Sequence, residues 1–147
     1  MKKLITTRQI HTRIKKLGTQ ISRDYAGKNP LLVGVLKGGA VFLAHLLLTL
    51  KITCEVDFVS LSSYRGNSKN KSGLKIIMDL YTNPYNKDII LIEDILDTGE
   101  TLSRLKTMLV ARGAKSIKIC TLLEKSIPRQ LSIQADYIGF KIPDKFV

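Results

Sequence analysis

The stretch IILIEDILDTGET, residues 89–101, joins a strongly apolar run to a Gly-containing turn and places four carboxylates, Glu93, Asp94, Asp97 and Glu100, within eight residues. The chain around it holds 24 Lys and Arg against 12 Asp and Glu. Like charges packed this closely repel, so the cluster needs open solvent or a positive partner. The apolar run suits a buried strand. Residues 100–112 beyond the turn read as a helix closed by Gly113.

Working outward, the same alternation recurs. Residues 6–27 place Ile10, Ile14, Leu17, Ile21 and Tyr25 at helical spacing, and Thr6 with Gln9 fits a capping box. LLVGVL (31–36) is a short apolar run suited to a buried strand, followed by KGG and the helix-like AVFLAHLLLTL. CEVDFVSL (54–61) alternates partly, as a strand does, and SSYRGNSKNKSG is polar, basic and Gly-punctuated, which predicts a mobile loop. LKIIMDL and DIILIE read as strands separated by the turn YTNPYNK, and SIKICTLLE and DYIGFKI complete the set. Strands alternating with helices predict an α/β fold, a mainly parallel twisted sheet flanked by helices. Such sheets bind ligands at the carboxyl ends of their strands, where the acidic cluster stands.

The 147 residues suffice for one domain with a real core, and 44% hydrophobic content excludes a disordered chain. No apolar run reaches the roughly 18 residues that suggest a membrane span. MKKLITTRQIHTR starts like a signal peptide, but no apolar stretch follows it, so a cytoplasmic protein is expected. Cys54 and Cys120 lie in apolar strand-like segments with no metal-type partner at a suitable spacing, and read as buried free thiols. The net charge of +12 concentrates in residues 1–30, with eight Lys or Arg and one acid, and in residues 62–75, with four and none. It suits a solvated basic surface, a nucleic-acid footprint, or a field that attracts a polyanionic small substrate.

The turn itself has chemistry. On an ideal strand the adjacent Glu93 and Asp94 point opposite ways, but where the backbone bends at a strand end both reach one ligand region. Two carboxylates there suit Mg²⁺ or the vicinal hydroxyls of a sugar. DTGET then opens a helix: its Gly lets backbone approach an anion, and a helix N-terminus favours negative charge. A sugar with a phosphate at one end and hydroxyls at the other satisfies both halves. An ordinary polar turn with an N-cap is the alternative.

LIEDILDTGET closely resembles the phosphoribosyl-pyrophosphate motif of the type I phosphoribosyltransferases. VGVLKGGAVF, VDFVSLSSY, TLLEK and YIGFKIPDKFV resemble, in order and spacing, the successive signatures of the hypoxanthine-guanine branch of that family. The resemblance covers residue 31 to the end, with a weaker fit for the first helix. It implies a single phosphoribosyltransferase domain over 1–147, with a core at about 31–125 and a small hood formed by the N-terminal helix and about 126–147. It implies purine salvage: transfer of 5-phosphoribosyl from phosphoribosyl pyrophosphate to N9 of a 6-oxopurine, with release of pyrophosphate. Glu93 and Asp94 are then expected to hold the ribose hydroxyls and Mg²⁺. Asp97 is expected at purine N7 as the acid or base. Asp97, Thr98, Gly99, Glu100 and Thr101 are expected to wrap the 5′-phosphate, with the Glu100 side chain turned away. Leu36, Lys37 and Gly38 match the pyrophosphate loop, where the family carries a cis peptide before the second residue. Ser63 and Tyr64 match the loop that closes over the site, and Arg65, Lys69 and Lys71 add positive charge to it. Lys125 is expected to donate to the 6-oxo group, Phe146 to stack on the ring and Val147 to meet it through its backbone, with Arg129 a further candidate nearby. The resemblance also implies a homodimer or homotetramer, and no nucleic-acid or membrane partner.

The chain stops at Val147, where the resemblance would supply a further Asp on the metal and an Arg on the pyrophosphate, so reduced turnover is expected of it. Two other readings compete: a non-catalytic RNA-binding regulator on the same fold, and a truncated low-activity remnant. No aromatic residues interleave the basic segments, as single-strand binding favours.

Overall fold

The computed structural model describes residues 4–64, 73–129 and 132–144. Arg65, Lys69 and Lys71, and Phe146 and Val147, lie outside the described residues. In chain order the elements are α1 (Thr7–Asp24), β1 (Leu31–Val35), α2 (Gly38–Leu47), β2 (Glu55–Tyr64), β3 (Gly73–Met78), β4 (Asp88–Leu96), α3 (Glu100–Ala111), β5 (Ser116–Lys125) and β6 (Tyr137–Ile142). The strands form one sheet in the order β3-β2-β1-β4-β5-β6. All neighbours are parallel except β2 and β3, which are antiparallel. The α/β expectation of a mainly parallel sheet is met.

Side-chain alternation explains the layering. Leu32, Ile90, Ile92 and Cys120 face α1 and α2, in a cluster with Ile14, Leu17, Ile21, Phe42, Leu43 and Leu46. Leu31, Val33, Val35, Ile89, Leu91 and Ile119 share the other cluster with Leu102, Leu105 and Leu109 of α3. Central strands covered on both faces must be apolar throughout rather than alternating, which is why β1 and the first part of β4 read as unbroken hydrophobic runs. Each such fully buried Leu or Ile contributes about 1.5–3 kcal/mol.

The α1 start is as expected: Gln9 N donates to Thr6 Oγ1 at 3.1 Å and Thr6 N to Gln9 Oε1 at 2.7 Å. The helix that the resemblance assigns to a hood packs against the sheet beside α2. β6, from the 126–147 part of the expected hood, is one of the sheet's two edge strands. Cys120 is buried and Cys54 only half-buried, both as free thiols. Burial pushes both thiols up, so neither is a ready nucleophile.

Two boundaries that bear on the site differ from the sequence reading. Ser62, Ser63 and Tyr64 are not loop but the end of β2, held by the register Ser62↔Lys75, Ser63↔Leu74 and Tyr64↔Gly73. β4 does not stop at Glu93. It continues to Leu96 because β5 keeps pairing with it, through Glu93↔Thr121, Ile95↔Leu123 and Leu96↔Glu124.

Candidate active site

The carboxyl ends of β1, β4 and β5 converge on the segments singled out by sequence. β1 ends at Val35 and the chain turns through Leu36 and Lys37 into α2, with a cis peptide between those two residues. Leu36 N donates to Val59 O at 2.9 Å, anchoring the turn to β2. Lys37 stands at the α2 N-cap position with an exposed side chain. The two glycines that follow are required by close approach. A Cβ on Gly38 would run into the Asp94 carboxylate, and one on Gly39 would stand 2.5 Å from Ile92 O. Gly39 was absent from the expected site, although the double glycine is the signal for so tight a seat of α2 on β4.

Glu93 and Asp94 lie within β4, three and two residues before its end. The strand runs on in unbroken register with β5 rather than bending at the pair, and Asp94 N donates to Glu93 Oε1 at 3.2 Å. Burial, reinforced by the hydrogen-bonded and negatively charged Asp94 beside it, pushes the Glu93 carboxyl up from 4.5 to about 9. Two carboxyl groups forced together in this way are what a hard divalent cation relieves. Among the described residues no cluster of three or more His, Cys, Asp or Glu could hold a metal. Mg²⁺ suits the pair nonetheless, because it retains waters and takes one or two protein carboxylates together with substrate phosphates.

Beyond β4, Asp97, Thr98 and Gly99 form a loop leading into α3. Gly99 is the N-cap residue with φ 84°, a left-handed conformation that favours glycine, and Ile133 packs where its Cβ would be. Glu100 N donates to Thr98 Oγ1 at 3.4 Å. Glu100 itself is exposed. The first amides of a helix lack intrahelical acceptors, so the 98–101 backbone offers donors to an anion.

Lys125 closes the constellation from the end of β5. It is 9% exposed, and its Nζ donates to Asp97 Oδ2 at 3.0 Å. Asp97, at 51% side-chain exposure, remains open on its other side. A carboxylate presented next to an ammonium offers an acceptor and a donor to adjacent positions on one planar heterocycle. Arg129, expected beside a base, instead engages main-chain carbonyls. Ser63 is exposed, near the end of the β2–β3 pair. Thus Glu93, Asp94, Asp97–Thr101, Leu36–Gly38 and Lys125 come to one end of the sheet, whereas Phe146 and Val147 are outside the described residues.

Similarity to known proteins agrees with this geometry. Residues 2–147 match the family model described as "Phosphoribosyl transferase domain". The hypoxanthine-guanine phosphoribosyltransferase of Streptococcus mutans is 45% identical over 146 residues, covering 99% of this chain and 81% of that protein. The enzyme of the same name from Streptococcus agalactiae serotype V is 44% identical over the same shares. A crystal structure of a hypoxanthine-guanine phosphoribosyltransferase from Bacillus anthracis, with a HEPES molecule in its active site, superposes with a TM-score of 0.91 at 38% identity, covering 99% of this chain and 86% of that one. That of a hypoxanthine phosphoribosyltransferase from Staphylococcus aureus gives a TM-score of 0.91 at 41% identity, covering 99% and 79%.

Proposed function

This chain belongs to the hypoxanthine-guanine phosphoribosyltransferases of the phosphoribosyl transferase domain family, and from that premise we propose that it salvages purines by transferring 5-phosphoribosyl from phosphoribosyl pyrophosphate to N9 of hypoxanthine or guanine, giving IMP or GMP and pyrophosphate. The observation that carries this reading is the Lys125–Asp97 ion pair, 3.0 Å apart at the mouth of the anion loop.

The residues divide the work in an order set by the sheet. The 5′-phosphate sits on the amides and hydroxyls of Asp97–Thr101, where the start of α3 favours negative charge. The ribose hydroxyls reach Glu93 and Asp94, and the pyrophosphate lies over Leu36, Lys37 and Gly38. Mg²⁺ on Glu93 and Asp94 would supply positive charge against the departing pyrophosphate, and the exposed Lys37 adds to it. Departure leaves cationic character at C1 of the ribose, so stabilising the leaving group and excluding water dominate the barrier. Ser63 and Tyr64 belong to a lid at the β2–β3 end. Asp97 handles the proton at purine N7 while N9 bonds to C1. Lys125 donates to the 6-oxo group and so discriminates against adenine, whose 6-amino group cannot accept that bond. Phe146 and Val147, outside the described residues, are assigned to the base by the family resemblance alone.

Exposed apolar residues, Val41 and Leu48 near α2 and Ile76, Ile77 and Met78 on β3, support assembly as a homodimer or homotetramer. No helix among the described residues is long and apolar enough to cross a membrane, and we place the protein in the cytoplasm. Nothing in the fold favours the RNA-binding reading. The test is formation of nucleotide from the pyrophosphate donor and each purine base.

A further inference from the structure

The β4–β5 ladder ends at the pair Leu96↔Glu124. The next residues along, Asp97 and Lys125, carry the ion pair of the site, and the last ladder register does not include them. Arg129 stands at this point. Its Nε donates to Asp97 O at 2.7 Å, and its Nη2 donates to Lys125 O at 2.8 Å and to Leu96 O at 3.3 Å. Nη1 lies 3.8 Å from Glu124 Oε1, and both side chains are largely covered, at 14% and 12% exposure. One guanidinium therefore bridges the last carbonyl of β4, the first of the anion loop and the last of β5.

We propose that Arg129 is a positioning residue that continues the β4–β5 connection past its last ladder pair and so fixes Asp97 and Lys125 against each other. The ion pair cannot do this alone. Asp97 is half-exposed, and a pair open to water on one side contributes at most about 1 kcal/mol, too little to hold two main chains in register. Three charge-assisted bonds to carbonyls are stronger and directional. They also require arginine: a planar fork reaches three acceptors at fixed angles, whereas a lysine ammonium is a single point on a flexible stem. The same bonds engage Nε and Nη2, and the remaining Nη1 stands 3.8 Å from Glu124 Oε1. Its position four residues after Lys125 returns the 126–129 segment to the carboxyl ends of β4 and β5.

The proposal rests on the salvage reading for its kinetic consequence but not for its structural one, and the test separates them. Arg129→Lys and Arg129→Gln are prepared in the full chain with Glu124→Gln as the comparison, and amide hydrogen exchange is followed by mass spectrometry beside steady-state kinetics. Exchange in 96–101 and 124–126 should rise roughly tenfold or more in both Arg129 variants, with α1 and β1 unchanged, because only the local tie is lost. kcat should fall roughly 10- to 100-fold, the loss expected for reacting groups displaced by about 1 Å, with KM for the donor changing little. Lysine should not rescue it, and Glu124→Gln should have a much smaller effect. If the glutamine variant does not fold, the lysine variant decides alone. Unchanged exchange at 96–101, or full kcat with lysine at 129, overturns the positioning role. If the unaltered chain forms no nucleotide, the salvage reading fails, and the exchange data still decide for or against Arg129.

Discussion

Replacing Glu93 by glutamine should make this protein more stable at alkaline pH, which is the reverse of what removing a charge at a candidate binding site usually suggests. The Glu93 carboxyl ionises near 4.5 when unhindered, and in the fold burial and the neighbouring Asp94 raise it to about 9. Below the lower value both folded and unfolded chains hold the proton. Between the two values the unfolded chain releases it and the folded one retains it, so stability contributed by the neutral group is lost as pH rises through that window. If the entire shift were expressed, the loss would be about 6 kcal/mol at 1.36 kcal/mol per unit. Both carboxyl groups are only half-buried and can turn toward water, so we expect about 2 kcal/mol. Glutamine retains Oε1 as acceptor for Asp94 N and stays neutral at every pH. Urea or thermal unfolding at pH 5, 7 and 8.5, without added metal or nucleotide, should give nearly equal stabilities at pH 5. At pH 8.5 the variant should be more stable by about 2 kcal/mol, or roughly 4–8 °C in Tm. Parallel pH curves for the two proteins, or a variant less stable at pH 8.5, would refute the argument that the acid pair is electrostatically frustrated.

Asp97→Asn keeps the loop backbone and removes the group proposed to act at purine N7. Turnover should fall roughly 10²- to 10⁴-fold with donor affinity largely kept, and near-normal kcat would remove Asp97 from the chemistry. Gly39→Ala places a methyl 2.5 Å from Ile92 O, a backbone atom that cannot swing away. Chemical denaturation should therefore show a loss of about 1–3 kcal/mol, and a neutral result would mean that α2 is not seated as tightly as described.

Much of this was legible because burial and sequence pattern coincide. β1 and β4 are covered on both faces, so their apolar runs announce strands. The α1 stripe and its Thr6–Gln9 box are local signals with no tertiary dependence. Gly99 and the helix after it were readable because a left-handed N-cap position has few solutions besides glycine. What escaped depends on a distant partner. Ser62–Tyr64 have the composition of a loop and become strand only because β3 lies alongside. Glu93 and Asp94 look like the edge of a turn, yet β5 carries the ladder on to Leu96. Gly39 answers to the carbonyl of Ile92, 53 positions away in sequence. Arg129 was seen as a candidate for the base pocket, but its acceptors are carbonyls, which every residue has and which leave no mark in a sequence.

On the proposed reading, the Lys125–Asp97 pair recognises a 6-oxopurine while the Asp97–Thr101 loop holds ribose 5-phosphate. It is tested most directly by incubating the purified chain with phosphoribosyl pyrophosphate, Mg²⁺ and, in turn, hypoxanthine, guanine, xanthine and adenine, and quantifying nucleotide and pyrophosphate together. Equimolar nucleotide and pyrophosphate should form with hypoxanthine or guanine, and none above background with adenine. Nucleotide formed from adenine as readily as from the 6-oxopurines, or from no purine at all, would contradict it.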